Sequence, residues 1–210
     1  HNGSGNLALS SEHPNVNDGC FLCRENIKWQ QEERQIGFEI GFGISHYIAF
    51  MNPFPLLPNH VVIASPTHRT QELMLFHDNE QNQELALMLN DLCELAKRLP
   101  NYIGFYNGVG AGASIPGHFH FQFFQRAPDL PQFPLEERNF SDVGCDSTTT
   151  LVENYPIQVF KWTGELDEVV ATATAWITNF VETSEYERQQ LTANFIATTL
   201  KTSNAVTLYF

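Results

Sequence analysis

Apolar and polar residues alternate with a period of two in several short runs, which is the pattern of β-strands that bury one face. In the first half of the chain these runs predict strands at residues 37–43, 46–51, 60–65, 102–107 and 118–125. The first two runs flank a short turn around Ser45, so we expect them to form a hairpin.

A longer run, from Thr70 to Leu99, carries apolar residues at the spacing that is typical of an amphipathic helix. Its polar stretch at 78–83 is expected to divide the run into two helices, and Pro100 is expected to end it. This helical run lies between the third and the fourth predicted strand.

The second half of the chain opens with a proline- and threonine-rich segment, 127–150, which is typical of a linker. The patterns after it predict a strand at 157–161, helices at 166–180 and 184–200, and a terminal strand at 206–210. The order of elements predicts an α+β fold, in which helices pack on one side of an antiparallel sheet. Residues 1–19, which are mostly polar, are expected to be flexible.

The 210 residues are enough for one ordinary domain, or for one complete and one partial module. The net charge of -13 argues against binding to long nucleic acid, which requires a cationic surface. No apolar run is long enough to span a membrane, and no secretory signal is visible, so we expect a cytoplasmic protein. Because the chain starts at His1 and ends on a predicted strand, we expect it to be a fragment of a longer protein.

Two of the four cysteines, Cys20 and Cys23, form a Cys-x-x-Cys pair. In the absence of a secretory signal, such a pair indicates a metal site or a redox motif rather than a disulfide framework. A redox motif of the thioredoxin type follows a strand, whereas residues 10–19 are polar, so metal binding is favoured. Cys93 lies within the helical pattern and is expected to be a core residue.

The predicted strand at 118–125 carries unusual polar residues on one face. Since side chains alternate across a strand, His118, His120 and Gln122 share a face, and the three intervening phenylalanines share the other. The phenylalanine face predicts core. The polar face has two interpretations, which are a solvent-facing edge and a chemical site, because buried polar groups require hydrogen-bond partners.

A glycine-rich loop, residues 107–117, leads directly into this strand. Small residues such as Gly110 and Gly112 let backbone N–H groups converge on an anion, and Asn107 and Ser114 add neutral donors. A glycine-rich loop alone is often only a mobile turn. Beside a His-x-His-x-Gln strand, it predicts a phosphate-binding loop next to a nucleophile.

Residues 107–122 resemble the active-site segment of the histidine-triad superfamily, and their His-x-His-x-Gln form resembles its transferase branch. That branch contains galactose-1-phosphate uridylyltransferase and diadenosine tetraphosphate phosphorylase. Residues 52–63 are similar to the segment that lines the nucleoside pocket in the superfamily, and residues 65–69 resemble the segment after it. The resemblance covers a catalytic module at 20–126, and 151–210 resembles a partial second module only loosely.

The resemblance implies that His120 attacks the α-phosphorus of a nucleotide and forms a covalent nucleotidyl-histidine. Gln122 would bond a phosphoryl oxygen, and Ser114 with the loop amides would stabilise negative charge. A small nucleotide or sugar-phosphate substrate is implied, with a homodimer or a tandem pair of modules. The residues expected to bind substrate are Asn52, Phe54, Pro55, Asn107, Gly110, Gly112, Ser114 and Gln122.

The same resemblance implies a structural zinc ion. Uridylyltransferases of the superfamily hold zinc with residues that match Cys20, Cys23, His68 and His118. Two thiolates and two imidazoles form the closed tetrahedral ligand set of a structural zinc site. Zinc on His118 would anchor the strand that carries His120.

The sequence departs from the uridylyltransferase pattern at Gly117, which stands between Pro116 and His118. Three hypotheses therefore stay open: a nucleotidyltransferase or nucleotide phosphorylase, a hydrolase of dinucleoside polyphosphates or nucleotide conjugates, and a non-enzymatic binding domain held by zinc. We expect His60 and His77 to be ordinary core or surface residues. Arg69 and Arg126 are expected to be solvated rather than bound to phosphate.

Overall fold

The computed structural model describes residues 16–30, 36–76, 82–126, 133–143, 146–181, 188–199 and 204–210. The strands are β1 Phe38–Phe42, β2 Ser45–Met51, β3 Val61–Ala64, β4 Met74–Phe76, β5 Tyr102–Asn107, β6 His120–Gln125, β7 Phe140–Val143, β8 Asp146–Val152, β9 Phe160–Gly164, β10 Arg188–Gln190, β11 Asn194–Thr199 and β12 Val206–Tyr209. The helices are α1 Arg24–Gln30, α2 Gln83–Arg98 and α3 Leu166–Val181, and a 3₁₀ turn covers Val16–Gly19.

Ten of these strands form one antiparallel sheet in the order β1-β2-β3-β6-β5-β11-β12-β9-β8-β7. The second five strands repeat the order of the first five in reverse, so β5 and β11 pair at the centre. Helices α2 and α3 contact each other and the same face of the sheet. The α+β prediction is therefore confirmed.

The main core lies between this face and the two helices. The phenylalanines at 119, 121 and 123 of the β6 segment are fully buried there, as the alternating pattern predicts. Each burial stabilises the fold by about 2 kcal/mol relative to an exposed ring. The apolar stripe of α2 faces them with Leu85, Leu89 and Leu92. The opposite face of β6 is thereby left to its polar residues.

A smaller apolar cluster covers part of that opposite face. Val62 and Ala64 of β3 pack there against Leu22 and against Ile27 of α1. Since Ala64 pairs with His120 and Val62 pairs with Gln122, this cluster holds the cysteine-bearing turn beside the polar face of β6.

Two helix predictions are wrong. Residues 74–76 form β4, which pairs with β10, and Leu73 and Leu75 are buried with a period of two. Residues 188–190 and 194–199, predicted within a helix at 184–200, form β10 and β11. The composition of this segment is compatible with a helix, but the pairing of β11 with β5 and β12, and of β10 with β4, overrides helical propensity.

The segment 127–150, which we expected to be a linker, contains β7 and the start of β8. Its threonines serve as strand residues, since Thr149 is buried and accepts a hydrogen bond from Nε1 of Trp162 at 2.9 Å. The expectation of flexibility for 1–19 falls largely outside the described residues, and 16–19 form the 3₁₀ turn. No helix in the described part of the chain is long and apolar enough to cross a membrane.

A buried ion pair attaches residues 133–138 to the end of β6. Both terminal nitrogens of Arg126 donate to the carboxylate of Glu136 at 2.7 Å, and the backbone N–H of Phe133 donates to it at 2.7 Å. Burial opposes ionisation of Glu136, but these bonds outweigh it and hold the pKa of the carboxyl below its usual range. Arg126 is therefore engaged within the protein.

We predict that Glu136→Gln lowers the free energy of unfolding by about 2 kcal/mol at neutral pH, because it removes the carboxylate charge that faces the largely buried guanidinium of Arg126. The depressed pKa of Glu136 means that the stabilisation is present above the unfolded-state pKa and is lost as the pH falls through the folded-state pKa. Urea unfolding measures this effect. The difference in the free energy of unfolding between wild type and variant should be smaller below pH 4 than at pH 7. The exposed neighbour Glu137, changed to Gln, is the matched control.

Candidate active site and metal cluster

Four side chains from three segments meet at the start of β6. Cys20 and Cys23 lie on the turn before α1, His68 on the loop after β3 and His118 just before β6. Their sulfur and nitrogen atoms all lie within 4.8 Å of one another. This cluster is the one predicted from the sequence, and its donor set can hold a metal ion.

The distances within the cluster fit a shared cation. Sγ of Cys20 lies 3.4 Å from Nδ1 of His118, and Sγ of Cys23 lies 3.4 Å from Nδ1 of His68 and 3.7 Å from Nδ1 of His118. A sulfur and a nitrogen bound to one tetrahedral zinc ion are about 3.6 Å apart, given the usual bond lengths.

The protonation state of His118 also fits a metal ligand. Its Nε2–H donates to the carbonyl of Ser65 at 2.8 Å, so the Nδ1 lone pair faces the two thiols. Burial lowers the pKa of His118, so the imidazole is neutral, which is the form in which a histidine binds metal. A carbonyl that fixes the second nitrogen of a histidine is the usual support of a metal-bound imidazole.

Backbone hydrogen bonds hold the loop at 65–71 against the segment before β6. Ser65 N–H donates to the carbonyl of Phe119 at 2.9 Å, and Phe119 N–H donates to the carbonyl of Arg69 at 2.7 Å. Gln71 N–H donates to the carbonyl of Pro116 at 2.8 Å. Because these bonds extend the pairing of β3 with β6, they bring His68 to the cluster.

His120 is the first residue of β6, and only 4% of its surface is exposed. Its Nδ1–H donates to the carbonyl of His118 at 2.8 Å, so Nε2 carries the lone pair. Burial lowers the pKa of His120 to about 4, although the bond to the His118 carbonyl opposes this shift. The imidazole is therefore neutral at physiological pH, which is the form in which a histidine can act as a nucleophile.

Gln71 fixes the backbone on both sides of His120. Its Oε1 accepts the N–H of His120 at 2.9 Å, and its Nε2 donates to the carbonyl of His120 at 2.9 Å and to that of Asn107 at 3.1 Å. The carbonyl of Gln71 itself accepts a hydrogen bond from the hydroxyl of Tyr106. Sequence reasoning missed Gln71, because one glutamine in a polar stretch gives no pattern.

His60 lies in the core, which is one of the two positions that we expected, but it also has polar partners that the sequence did not indicate. It is 1% exposed, and its Nε2–H donates to Oε1 of Gln122 at 2.8 Å. Asn52 Nδ2 donates to Nδ1 of His60 at 3.2 Å. The structure therefore joins two predicted site residues, Asn52 and Gln122, through a histidine that had no assigned role. His77 lies outside the described residues.

The glycine-rich loop is shaped by backbone conformations that favour glycine. Gly110 and Gly112 have φ values of 81° and 104°, which strain residues with a Cβ atom. A Cβ on Gly108 would lie 2.5 Å from the carbonyl oxygen of Ala193, which accepts the N–H of Gly108. The loop is thus anchored to the segment before β11, and Ser114 lies exposed near its end.

The remaining predicted substrate residues lie on the exposed loop after β2. Phe54 is 71% exposed and its ring centroid lies 6.2 Å from that of Phe21, and Pro55 is exposed as well. Asn52 is half-buried because it reaches His60. The described contacts therefore place Asn52 within the polar network and leave Phe54 and Pro55 at its surface.

Comparison with known protein families identifies the family of this chain. The sequence profile described as "Domain of unknown function (DUF4922)" matches residues 10–125, more than half of the chain. The chain belongs to the DUF4922 family. None of the curated proteins compared with this DUF4922 chain matches it in sequence.

Two solved structures resemble the DUF4922 chain in fold. The yeast Ap4A phosphorylase Apa2 is 17% identical, with a TM-score of 0.50, and the match covers 84% of this chain and 60% of the yeast chain. A DUF4931 family protein from Bacillus cereus ATCC 10987 is 12% identical, with a TM-score of 0.50, over 82% of this chain and 83% of that chain. The DUF4922 chain therefore shares the fold of these two proteins, and it spans less than two thirds of the yeast enzyme.

We predict that Gln71→Ala in the DUF4922 chain lowers the free energy of unfolding by about 3 kcal/mol, because three backbone groups, of which the two of His120 are buried, lose their bonds to its side chain. Denaturant unfolding measures this loss directly. Gln83→Ala removes an exposed glutamine on α2 and should change stability by less than about 0.5 kcal/mol. Equal effects of the two substitutions would contradict the role of Gln71.

Proposed function

We propose that this DUF4922 protein is a nucleotidyltransferase or nucleotide phosphorylase that works through a covalent nucleotidyl-His120 intermediate. The observation that carries the proposal is the state of His120, which is neutral, fixed at Nδ1 and left with a lone pair on Nε2. Its substrate is a nucleoside polyphosphate or a nucleotide sugar. The fold shared with an enzyme named for Ap4A supports this class of substrate.

The reaction has two displacements at phosphorus. Nε2 of His120 attacks the α-phosphorus, and the bond from that phosphorus to the leaving phosphate oxygen breaks with its electron pair. The oxygen of a phosphate or sugar phosphate then attacks the same phosphorus, and the phosphorus–Nε2 bond breaks to restore neutral His120. The Nδ1 hydrogen bond to the His118 carbonyl stabilises the positive charge that the ring acquires between the two steps.

In the proposed mechanism, uncharged hydrogen-bond donors contact the phosphate groups of the substrate. Gln122 and Ser114 donate to the non-bridging oxygens, and the N–H groups around Gly110 and Gly112 bind the neighbouring phosphates. Phe54 and Pro55 contact the nucleoside, while Asn52 and Asn107 support the site through His60 and Gln71. Because Gln122 is not an acid, it does not protonate a leaving group, which favours transfer to phosphate over hydrolysis.

Zinc is the cation that we propose for the cluster of Cys20, Cys23, His68 and His118. When bound, a zinc ion would cross-link the segments that carry these four residues. The four residues would fix the turn before α1 and the loop after β3 to the start of β6, and so hold the carbonyl of His118 that orients His120. Thiols that bind metal remain reduced in the cytoplasm, which is the compartment that we propose.

We also propose that residues 151–210 are a partial second module of the same kind as 20–126. Its support is the reversed strand order, in which β9, β12 and β11 of this segment correspond to β3, β6 and β5. The strands β7 and β8, which begin before residue 151, correspond to β1 and β2. The pairing of β5 with β11 joins the two modules within one chain, so no homodimer is required for this contact.

Incubation of the protein with a panel of nucleoside diphosphates, dinucleoside polyphosphates and nucleotide sugars should give a nucleotidyl adduct in the intact mass. We expect His120→Gln to abolish the adduct and to lower turnover by at least about 10³-fold, since the nucleophile is lost. The exposed His46, changed to Gln, is the matched control and should keep full activity.

The acceptor decides between the enzymatic hypotheses. If inorganic phosphate is the acceptor, the product is a nucleotide that carries the added phosphate group, which supports the phosphorylase. If the unmodified nucleotide is released in equal amount with and without inorganic phosphate, the protein is a hydrolase. Full turnover by His120→Gln, or the absence of any adduct and turnover in the wild type, would refute the proposal.

Metal analysis by mass spectrometry should find about one zinc ion per chain in protein purified without added metal. We expect His68→Ala and Cys23→Ser to lose most of this zinc and to unfold at lower temperature, because a structural ion stabilises the folded state. His46→Ala should retain it. A wild-type protein without zinc, or full occupancy in His68→Ala, would contradict the four-ligand site.

A further inference from the structure

A chain of hydrogen bonds with one direction runs from the loop after β2 to Gln122. It begins at the N–H of Phe54, which donates to Oδ1 of Asn52 at 2.9 Å. A backbone N–H can only donate, so the oxygen of Asn52 is fixed by this bond. The amide nitrogen of Asn52 consequently faces the ring of His60, 3.2 Å from Nδ1 and 3.4 Å from Nε2.

The next step of the chain fixes the tautomer of His60. Nδ1 of His60 accepts the backbone N–H of Leu56 at 3.4 Å, so this nitrogen carries the lone pair and the ring proton lies on Nε2. Burial lowers the pKa of His60, which keeps the ring in this neutral form. The ring packs on Phe124, with 4.3 Å between the centroids, and its Nε2–H donates to Oε1 of Gln122 at 2.8 Å.

The last step determines which end of Gln122 is available to a ligand. Because the oxygen of its carboxamide is occupied by His60, the amide N–H groups are left to face outward on the side of β6 that carries His120. Two N–H donors favour an anionic phosphoryl oxygen. A reversed carboxamide would present an oxygen to that anion and would place its own N–H₂ against the Nε2–H of His60.

We propose that His60 is a positioning residue, which acts through Gln122 by holding its amide N–H groups toward the phosphoryl group transferred at His120. The proposal rests on the proposed function. His60 itself does not touch the substrate. The side chain of Asn52 and the backbone of Leu56 hold its ring in this orientation. The site therefore selects ligands that offer oxygen acceptors at this point and disfavours ligands that offer a donor.

A double-mutant cycle tests whether His60 acts through Gln122. We expect His60→Leu to lower kcat for the best substrate of the panel by about 10-fold or more, with a smaller change in KM. In a Gln122→Ala background, the same substitution should change kcat by less than about 3-fold, because its target is gone. His60→Gln, which offers both an acceptor for Asn52 and a donor for Gln122, should restore kcat to within about 3-fold of wild type.

A purely structural role for His60 gives a different result. His60→Leu would then lower kcat by the same factor in both backgrounds, and His60→Gln would be no better than His60→Leu; either outcome overturns the proposal. Unfolding temperatures of all variants, with His46→Leu as the exposed control, identify losses that come from stability alone.

Nitrogen NMR of the resting protein tests the same chain of bonds without any turnover. His60 should be neutral with its proton on Nε2, and the Nε2–H signal should shift in Gln122→Ala. A proton on Nδ1 would overturn the positioning role whatever the activity. If the wild type forms no adduct while His60 has the expected tautomer, the proposed function fails and the orientation of Gln122 stands.

Discussion

The hydrogen bond from Nδ1 of His120 to the carbonyl of His118 is the interaction on which the candidate site depends. It connects a side chain to the backbone two residues earlier, so it forms only if the start of β6 keeps one conformation. Three sets of contacts fix that conformation: the cluster at His118, the backbone bonds to residues 65–71, and the side chain of Gln71. If the start of β6 lost this conformation, the hydrogen bond would break. The ring proton of His120 would then no longer be held on Nδ1, and the lone pair would no longer be held on Nε2.

The two faces of β6 explain how a polar site is sustained inside a small fold. The phenylalanine face packs in the main core and stabilises the fold. The other face lies among buried polar side chains, which would destabilise the fold if they had no hydrogen-bond partners. Each of them has a partner: His118 with Ser65, His60 with Gln122, and Gln71 with three backbone groups. Such a network is cooperative, because every bond fixes the direction of the next.

The sequence predicted the parts of the fold that depend on local patterns. The helix α2, the buried phenylalanines and the first-half strands β1, β2, β3, β5 and β6 follow from periods of two and of 3.6 residues, whereas β4 was predicted as helix. The cluster was predicted as well, Cys20 and Cys23 from their Cys-x-x-Cys spacing and His68 and His118 from the resemblance to uridylyltransferases. The helix predicted at 184–200 failed because β11 owes its conformation to neighbours that are distant in sequence, β5 and β12. Gln71 and His60 were missed for the same reason, since their partners lie 36 to 62 residues away.

The central claim is that Nε2 of His120 is the atom that forms a bond to phosphorus. Phosphorus–nitrogen NMR of the trapped adduct, made with protein carrying ¹⁵N-labelled histidine, measures that bond directly. The account predicts a one-bond coupling between phosphorus and Nε2 of one histidine, which disappears in His120→Gln. Coupling to an Nδ1 atom, or an adduct that persists in His120→Gln, would contradict it.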